Sequence, residues 1–314
     1  MSNSVLAGWF GIAALLALAA DVVAQAPGES APIDDELLEQ RITEACAAAQ
    51  AAGGLVAAKV LAAQLATAAS CEGKPVAPRT QPLGGAELYA AVLPSVRIVG
   101  HYYQCKECDE WHFNGASGFC IDDHGSIATC AHVVAPDETM RDAFLVVADL
   151  RGNVWPVEKV VAVGKAADLC VLQTAARGTV PLPMRTSVRT GEAVWCLSHP
   201  DHQFAFFSGG VVARQYVLRE ADVDRPEKPA AGAKVPKVDL KRPAQPWLHV
   251  TCDFCKGSSG GPIVDACGNL VGIAQSTVTV IYDEDATPID TQMVFKNAAP
   301  AACLVALLQP PATK

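Results

Sequence analysis

A chain of 314 residues can hold two domains, or one double-lobed domain with extensions, and 51% apolar residues supply an ample core. With 24 Lys and Arg against 33 Asp and Glu, the net charge of −9 argues against nucleic acid or an anionic membrane surface as the main partner. The chain has no run of five basic residues and no phosphate-binding Gly-Lys-Ser/Thr loop.

Val5 to Ala20 is an apolar run broken only by glycines. It is short for a membrane span and suits the core of an export signal, with Ala24-Gln25-Ala26 as a small-x-small cleavage site. Two features count against a signal: Met1–Ser4 carries no positive side chain, and Pro27 falls just after the cut. A cleaved signal over 1–26, a membrane anchor through 5–26 and a plain apolar helix all stand as readings, and the first two place the protein outside the cytoplasm, periplasmic or secreted. Residues 27–33 read as linker. Asp34-Asp35-Glu36 then opens an alanine-rich helix with acids where the helix dipole favours them, and Leu38, Ile42 and Ala45 share its apolar face. Gly53-Gly54 breaks it, and Leu55–Leu65 predicts a second helix. Together 27–85 reads as a helical spacer and linker, with assembly into a homo-oligomer through 34–70 as a further reading.

From 86 to 308 the texture changes. Short β-branched runs alternate with turn signals at Ser95–Val99, Ser117–Asp122, Ser126–Ala131, Ala143–Val147, Ala193–Leu197 and Gly210–Ala213, the pattern of an all-β barrel or sandwich. Arg219–Gln245, rich in Lys, Asp, Glu and Pro, reads as an exposed insertion. Asn297–Leu308 predicts a closing helix, and 309–314 a tail.

Three motifs in this region carry chemistry. Lys256-Gly257-Ser258-Ser259-Gly260-Gly261-Pro262 puts a serine in a glycine turn, where backbone amides can be aimed at a carbonyl oxygen. Upstream stand Thr129-Cys130-Ala131-His132 and Ala167-Asp168-Leu169. Taken singly, these are a flexible loop, a core histidine and a strand-end cap. Together they supply a nucleophile in Ser259, a base in His132 and an acid in Asp168 to orient that base. An imidazole, with its ordinary pKa near ~6.5, suits the proton transfers. The backbone N–H groups of Gly257 and Ser259 are the candidate oxyanion hole.

The order His…Asp…Ser is that of the chymotrypsin arrangement. Here the chain resembles the trypsin-like serine proteases, nearest in pattern to the HtrA/DegP branch. Gly115-Ala116-Ser117-Gly118-Phe119, Val194-Trp195-Cys196-Leu197-Ser198-His199-Pro200, Ser208-Gly209-Gly210-Val211-Val212 and Gly268-Asn269-Leu270-Val271-Gly272-Ile273 fall at that family's landmarks. The resemblance spans roughly 87–308. It implies a chymotrypsin-like double β-barrel, a serine endopeptidase acting on protein or peptide substrates, and no organic cofactor. No PDZ-type module is expected after Leu308, in which the pattern departs from HtrA proteins, and no zymogen cut is expected at 90–96. Ser258 occupies the position held by Asp in trypsins and Asn in HtrA proteins, where it would shape the oxyanion turn.

By the same resemblance Asp253 would floor a specificity pocket for Arg or Lys, with Gln275, Ser276 and Thr277 as its wall. Trypsin has a glycine near Thr277, so a β-branched residue there would narrow the entrance, and a solvated Asp253 is the competing reading. Twelve cysteines include two CxxC pairs, Cys105/Cys108 and Cys252/Cys255. If the pairs meet, they make a tetrahedral structural zinc site, while disulfides and free thiols are the alternatives. Cys120, Cys130, Cys170 and Cys196 read as small buried hydrophobes. A non-catalytic peptide-binding scaffold and a chaperone-protease are the rival functions.

Overall fold

Strand register explains how distant motifs meet. The computed structural model describes residues 32–219, 244–284 and 287–309. The expected export signal or anchor at 1–26, nearly all of the expected insertion and most of the tail lie outside those residues. Among the described residues no helix is long and apolar enough to cross a membrane.

Among the described residues, twelve strands form two closed six-stranded barrels. The first contains β1 (Val96–Cys105), β2 (Trp111–Cys120), β3 (Ser126–Cys130), β4 (Met140–Ala148), β5 (Val154–Gly164) and β6 (Leu169–Thr174), in the order β1-β2-β3-β6-β5-β4. The second contains β7 (Ala193–Ser198), β8 (Phe206–Arg219), β9 (Ala244–Val250), β10 (Pro262–Asp265), β11 (Leu270–Glu284) and β12 (Thr287–Pro300), in the order β10-β11-β12-β9-β8-β7. Every strand pair is antiparallel. Closure pairs each strand with a neighbour on both sides over at least part of its length. Val99, Ile127, Leu145, Val147 and Leu172 fill the first interior, and Val194, Val212, Leu248, Ile263 and Ala274 the second. A third cluster joins them: Phe119, Ala128 and Val171 of the first barrel pack with Leu197, Val264 and Ile273 of the second. That shared core fixes one barrel against the other.

From Ile33 onward, the segment read as a spacer belongs to the same compact unit as the barrels. Helix α1 (Asp35–Ala51) starts where the Asp34 carboxylate accepts the Leu37 N–H at 3.0 Å, and ends before Gly53 at φ +70. Its buried stripe is Leu38, Ile42 and Cys46; spacing of four throughout selects Cys46 over Ala45. The stripe packs on Ile98, Tyr102, Phe113, Val146, Ala148 and Phe204. Burying a Leu or Ile side chain is worth about 1.5–3 kcal/mol, so the helix is held by the first barrel and not free as an arm. Helix α2 (Ala58–Gln64) buries Leu61 in the first barrel's core, and Gln64 Oε1 accepts the Val160 N–H beside a bulge in β5. Helices α3 (Gly85–Val92) and α4 (Ala301–Leu307) cap the joint core through Leu88, Val92 and Leu304. The closing helix is shorter than predicted: 297–300 completes β12, and the helix begins after Pro300.

Candidate active site

Strands β3 and β6 pair with Cys130 opposite Leu169. The residues just beyond this pair therefore emerge side by side. His132 sits in a single 3-10 turn, Ala131–Val133, directly after β3. Asp168 precedes β6 at φ 49, ψ 46, a left-handed conformation that aspartate tolerates better than most residues. The Ala131 N–H donates to the Asp168 carbonyl at 3.0 Å. The carboxylate is held twice: Oδ1 accepts the His132 backbone N–H at 2.9 Å, and Oδ2 lies 2.5 Å from His132 Nδ1. A carboxylate only accepts, so the imidazole proton resides on Nδ1 and Nε2 is left as a base. That Nε2 lies 3.0 Å from Ser259 Oγ.

Ser259 stands in the turn that leads into β10. Gly257 and Gly260 flank its centre at φ +89 and +86. A Cβ on Gly257 would lie 2.5 Å from the His199 carbonyl oxygen, and one on Gly260 2.2 Å from that of Ser117, so both positions require glycine. The turn is anchored from both barrels. Ser117 Oγ, on β2, donates to the Gly257 carbonyl at 2.9 Å and accepts the His199 N–H at 2.9 Å. The Ser117 N–H donates to the Ser259 carbonyl at 3.0 Å, and the Asp201 N–H to that of Lys256 at 2.8 Å. Ser258 points inward, where its hydroxyl accepts from Ser198 Oγ at 3.0 Å and from the Cys255 N–H at 3.3 Å. These bonds hold the carbonyls inward, and among the described residues the N–H groups of Gly257 and Ser259 donate to no protein acceptor. Beside them opens a cleft of about 400 Å³, bordered by His132, Asp137, Met140, Lys256, Gly257 and Ser259.

Two buried histidines support the site without reaching Ser259. His199 Nδ1 accepts the Ala205 N–H at 3.0 Å, and burial lowers its pKa to about 4. His101, on the wall of the cleft, is likewise lowered to about 4 by burial. The loop 200–205 is tied in turn to α1: Asp35 Oδ1 accepts the Phe204 N–H at 3.0 Å, and Glu39 Oε2 lies 2.9 Å from His202 Nδ1.

The remaining candidates fall out differently. Gln275 is buried, and its Nε2 donates to the carbonyls of Ala167 and Asp168, both at 2.9 Å. Its side chain therefore steadies the aspartate turn, while its carbonyl accepts from Ser259 Oγ at 3.1 Å. Ser276 and Thr277 are exposed on β11. The Asp253 side chain is 81% exposed and lies 3.7 Å from Lys296 Nζ, which matches the reading of a solvated carboxylate. Lys296 Nζ also donates to the Phe254 carbonyl at 2.5 Å.

The four-cysteine cluster also does not form. Cys252 is sealed in the second barrel's core, its Sγ donates to the Val194 carbonyl at 3.6 Å, and burial pushes its thiol up to about 12. Cys255 is exposed, and Cys105 lies at the far end of β1 opposite Met140. The donor that joins Cys105 and Cys108 is His112. All twelve cysteines are free thiols, and Cys120, Cys130, Cys170 and Cys196 are buried. Cys130 Sγ comes near His132 and Asp168, but burial raises its pKa well above the ordinary value and it donates to the Ala274 carbonyl at 3.3 Å. It is a packed thiol, and the two neighbouring groups are engaged with each other. Sequence motifs gave no sign of the parts played by Ser117 and the Gln275 side chain.

A double barrel with a histidine, an aspartate and a serine converging where the barrels meet is the architecture of the chymotrypsin-like fold. Residues 116–273, half of the chain, match the model of the trypsin-like peptidase domain, and the protein belongs to that family. Curated relatives include serine protease HTRA2, mitochondrial, of Bos taurus, 27% identical over 212 residues that cover 65% of this chain and 41% of that protein. Protease Do-like 5, chloroplastic, of Arabidopsis thaliana is 26% identical over 172 residues, covering 52% of this chain and 48% of its own. The chain thus matches less than half the length of either. Among solved structures, an HtrA-type protease with a tripeptide aligns at 17% identity and a TM-score of 0.48, covering 71% of this chain and 62% of its own.

Proposed function

We propose that the protein is a serine endopeptidase that cleaves peptide bonds through an acyl-enzyme on Ser259. The observation that carries this reading is the continuous hydrogen-bonded line from Asp168 Oδ2 through the His132 imidazole to Ser259 Oγ. Ser259 Oγ has two acceptors in reach, His132 Nε2 and the Gln275 carbonyl, and transfer to the imidazole frees the oxygen to attack. His132 becomes a cation held by Asp168, then delivers the same proton to the leaving amine. The unpaired N–H groups of Gly257 and Ser259 receive the charge that develops on the carbonyl oxygen; one such donor is commonly worth about 100- to 1000-fold in rate. A second turn of the same cycle with water releases the acid.

The substrate has a place to bind as an added strand. Along β11, pairing with β10 ends at Ile273, while pairing with β12 continues through Ser276 and Thr277. The other edge beyond Ala274 is thereby open to an extended peptide leading to Ser259. The names of the two relatives, one mitochondrial and one chloroplastic, and the apolar run at 5–20 support an enzyme working outside the cytosol. Labelling by a fluorophosphonate tests the reading. The wild-type chain and Ser258→Ala should label, whereas Ser259→Ala should neither label nor hydrolyse a peptide library. Failure of the folded wild-type chain to label would leave a peptide-binding scaffold.

A further inference from the structure

We propose that the tip of the β1–β2 hairpin is a zinc site formed by Cys105, Cys108 and His112, which clips down the wall of the cleft next to His132. The two sulfurs and a histidine ring nitrogen all lie within 4.8 Å of one another, and Cys108 Sγ is 3.0 Å from His112 Nε2. Three donors this close can share one ion at ordinary zinc bond lengths of about 2.0–2.3 Å without rebuilding the backbone.

The turn has the features of a metal knuckle. The Cys105 N–H donates to the Glu110 carbonyl at 2.9 Å, and Asp109 takes φ 60 to close the loop. The Glu107 N–H points at Cys105 Sγ at 3.4 Å, a bond that favours the thiolate over the thiol. Two thiolates and an imidazole are a soft donor set that suits zinc and disfavours magnesium or calcium. Binding would displace the two thiol protons to solvent, and the resulting thiolate charges balance the ion. The fourth tetrahedral position remains for water, since Cys108 and His112 are exposed. Cys252 and Cys255 take no part.

The hairpin tip reaches the cleft through the loop before β4. The Lys106 N–H donates to the Thr139 carbonyl at 2.9 Å, and Lys106 Nζ to that of Glu138 at 2.6 Å. Asp109 pairs with Arg141 at 2.6 Å. The same loop supplies Ala135, Pro136 and Asp137 to the cleft, and Met140 follows at the start of β4. An ion that fixes the turn would thus steady this wall, whether or not the cleft is catalytic.

The test is zinc titration of the fully reduced, metal-free whole chain against a chromophoric chelator, with cobalt as a spectroscopic substitute. One equivalent should bind, and cobalt should show thiolate charge-transfer bands. Cys105→Ser and Cys108→Ser should abolish binding, and His112→Ala should weaken it at least 10-fold. Cys252→Ser and Cys255→Ser should bind as wild type. Zinc should also slow amide exchange over 135–141. The proposal falls if the reduced chain takes up no stoichiometric zinc, or if binding survives the hairpin variants. It falls equally if binding is lost with Cys252 or Cys255. Circular dichroism separates loss of a ligand from loss of fold, and the exposed Cys108 and His112 are the safest positions to change.

Discussion

The two barrels hold their shares of the site in different ways. In the first, His132 and Asp168 are placed by a single strand pairing and bonded directly to each other, with the Gln275 amide of the second barrel as an outside support on the aspartate turn. In the second, Ser259 stands on a glycine turn whose carbonyls are tied down by Ser117 from the opposite barrel and by the loop 199–201. The acid–base pair is thus aligned mainly by its own direct bonds, while the nucleophile's position depends more heavily on how the barrels sit together. Damage to the first should be confined to chemistry. Damage to the second should lower chemistry and stability at once.

Asp168→Asn is the largest expected effect after removal of Ser259 itself. The amide can still accept the His132 backbone N–H, so the turn should persist, but an NH₂ facing Nδ1 would favour the wrong imidazole tautomer. A kcat lower by on the order of 10⁴-fold with an unchanged denaturation midpoint is expected. A large loss of stability would show that the pair is not local.

Ser117→Ala tests the other half. It strips the Gly257 carbonyl and the His199 N–H of their shared partner, and each buried group left unpaired costs about 1–3 kcal/mol. We expect lower stability together with a fall in kcat of roughly 10- to 100-fold, since each 1.4 kcal/mol lost from the transition state is tenfold. Unchanged kcat and unchanged midpoint would break the contrast between the barrels.

The smallest effect is a pH dependence of folding. Burial lowers both His101 and His199 from 6.5 to about 4. Below pH 6.5 the unfolded chain takes up protons that the native chain refuses until about pH 4. Stability from this source is therefore full above 6.5, falls between 6.5 and 4, and falls no further below that. At about 1.4 kcal/mol per pKa unit, each histidine contributes at most about 3 kcal/mol across that window. Urea midpoints measured across that window should show the slope, and His101→Gln should remove roughly half of it. A slope unaltered by that change would mean His101 is not held neutral.

Much of this was legible from the chain. Alternating β-branched runs marked the barrel strands, and the three motifs pointed to His132, Asp168 and Ser259 through a base, an acid at the head of an apolar strand and a glycine-flanked serine in the order His, Asp, Ser. Other parts were not legible because their reason lies far away in sequence. Ser117 and Gly257, 140 residues apart, have no shared signature, and a glutamine on an apolar strand gives no hint that its amide reaches the carbonyls of Ala167 and Asp168. The alanine-rich helix looked like a spacer because its stripe of Leu38, Ile42 and Cys46 shows no partner until the first barrel is folded beneath it.

The cysteines mark the boundary most sharply. Spacing alone marked two pairs as candidate metal ligands, since two residues between thiols can let one turn present both. Which donors converge was decided only by the register of β1 against β2 and β4, which sets His112 beside Cys105 and Cys108, and by the second barrel's closure, which buries Cys252. Local sequence specifies what a turn can hold. The long-range pairing of strands, driven by burial of the apolar residues between them, specifies what is brought to it.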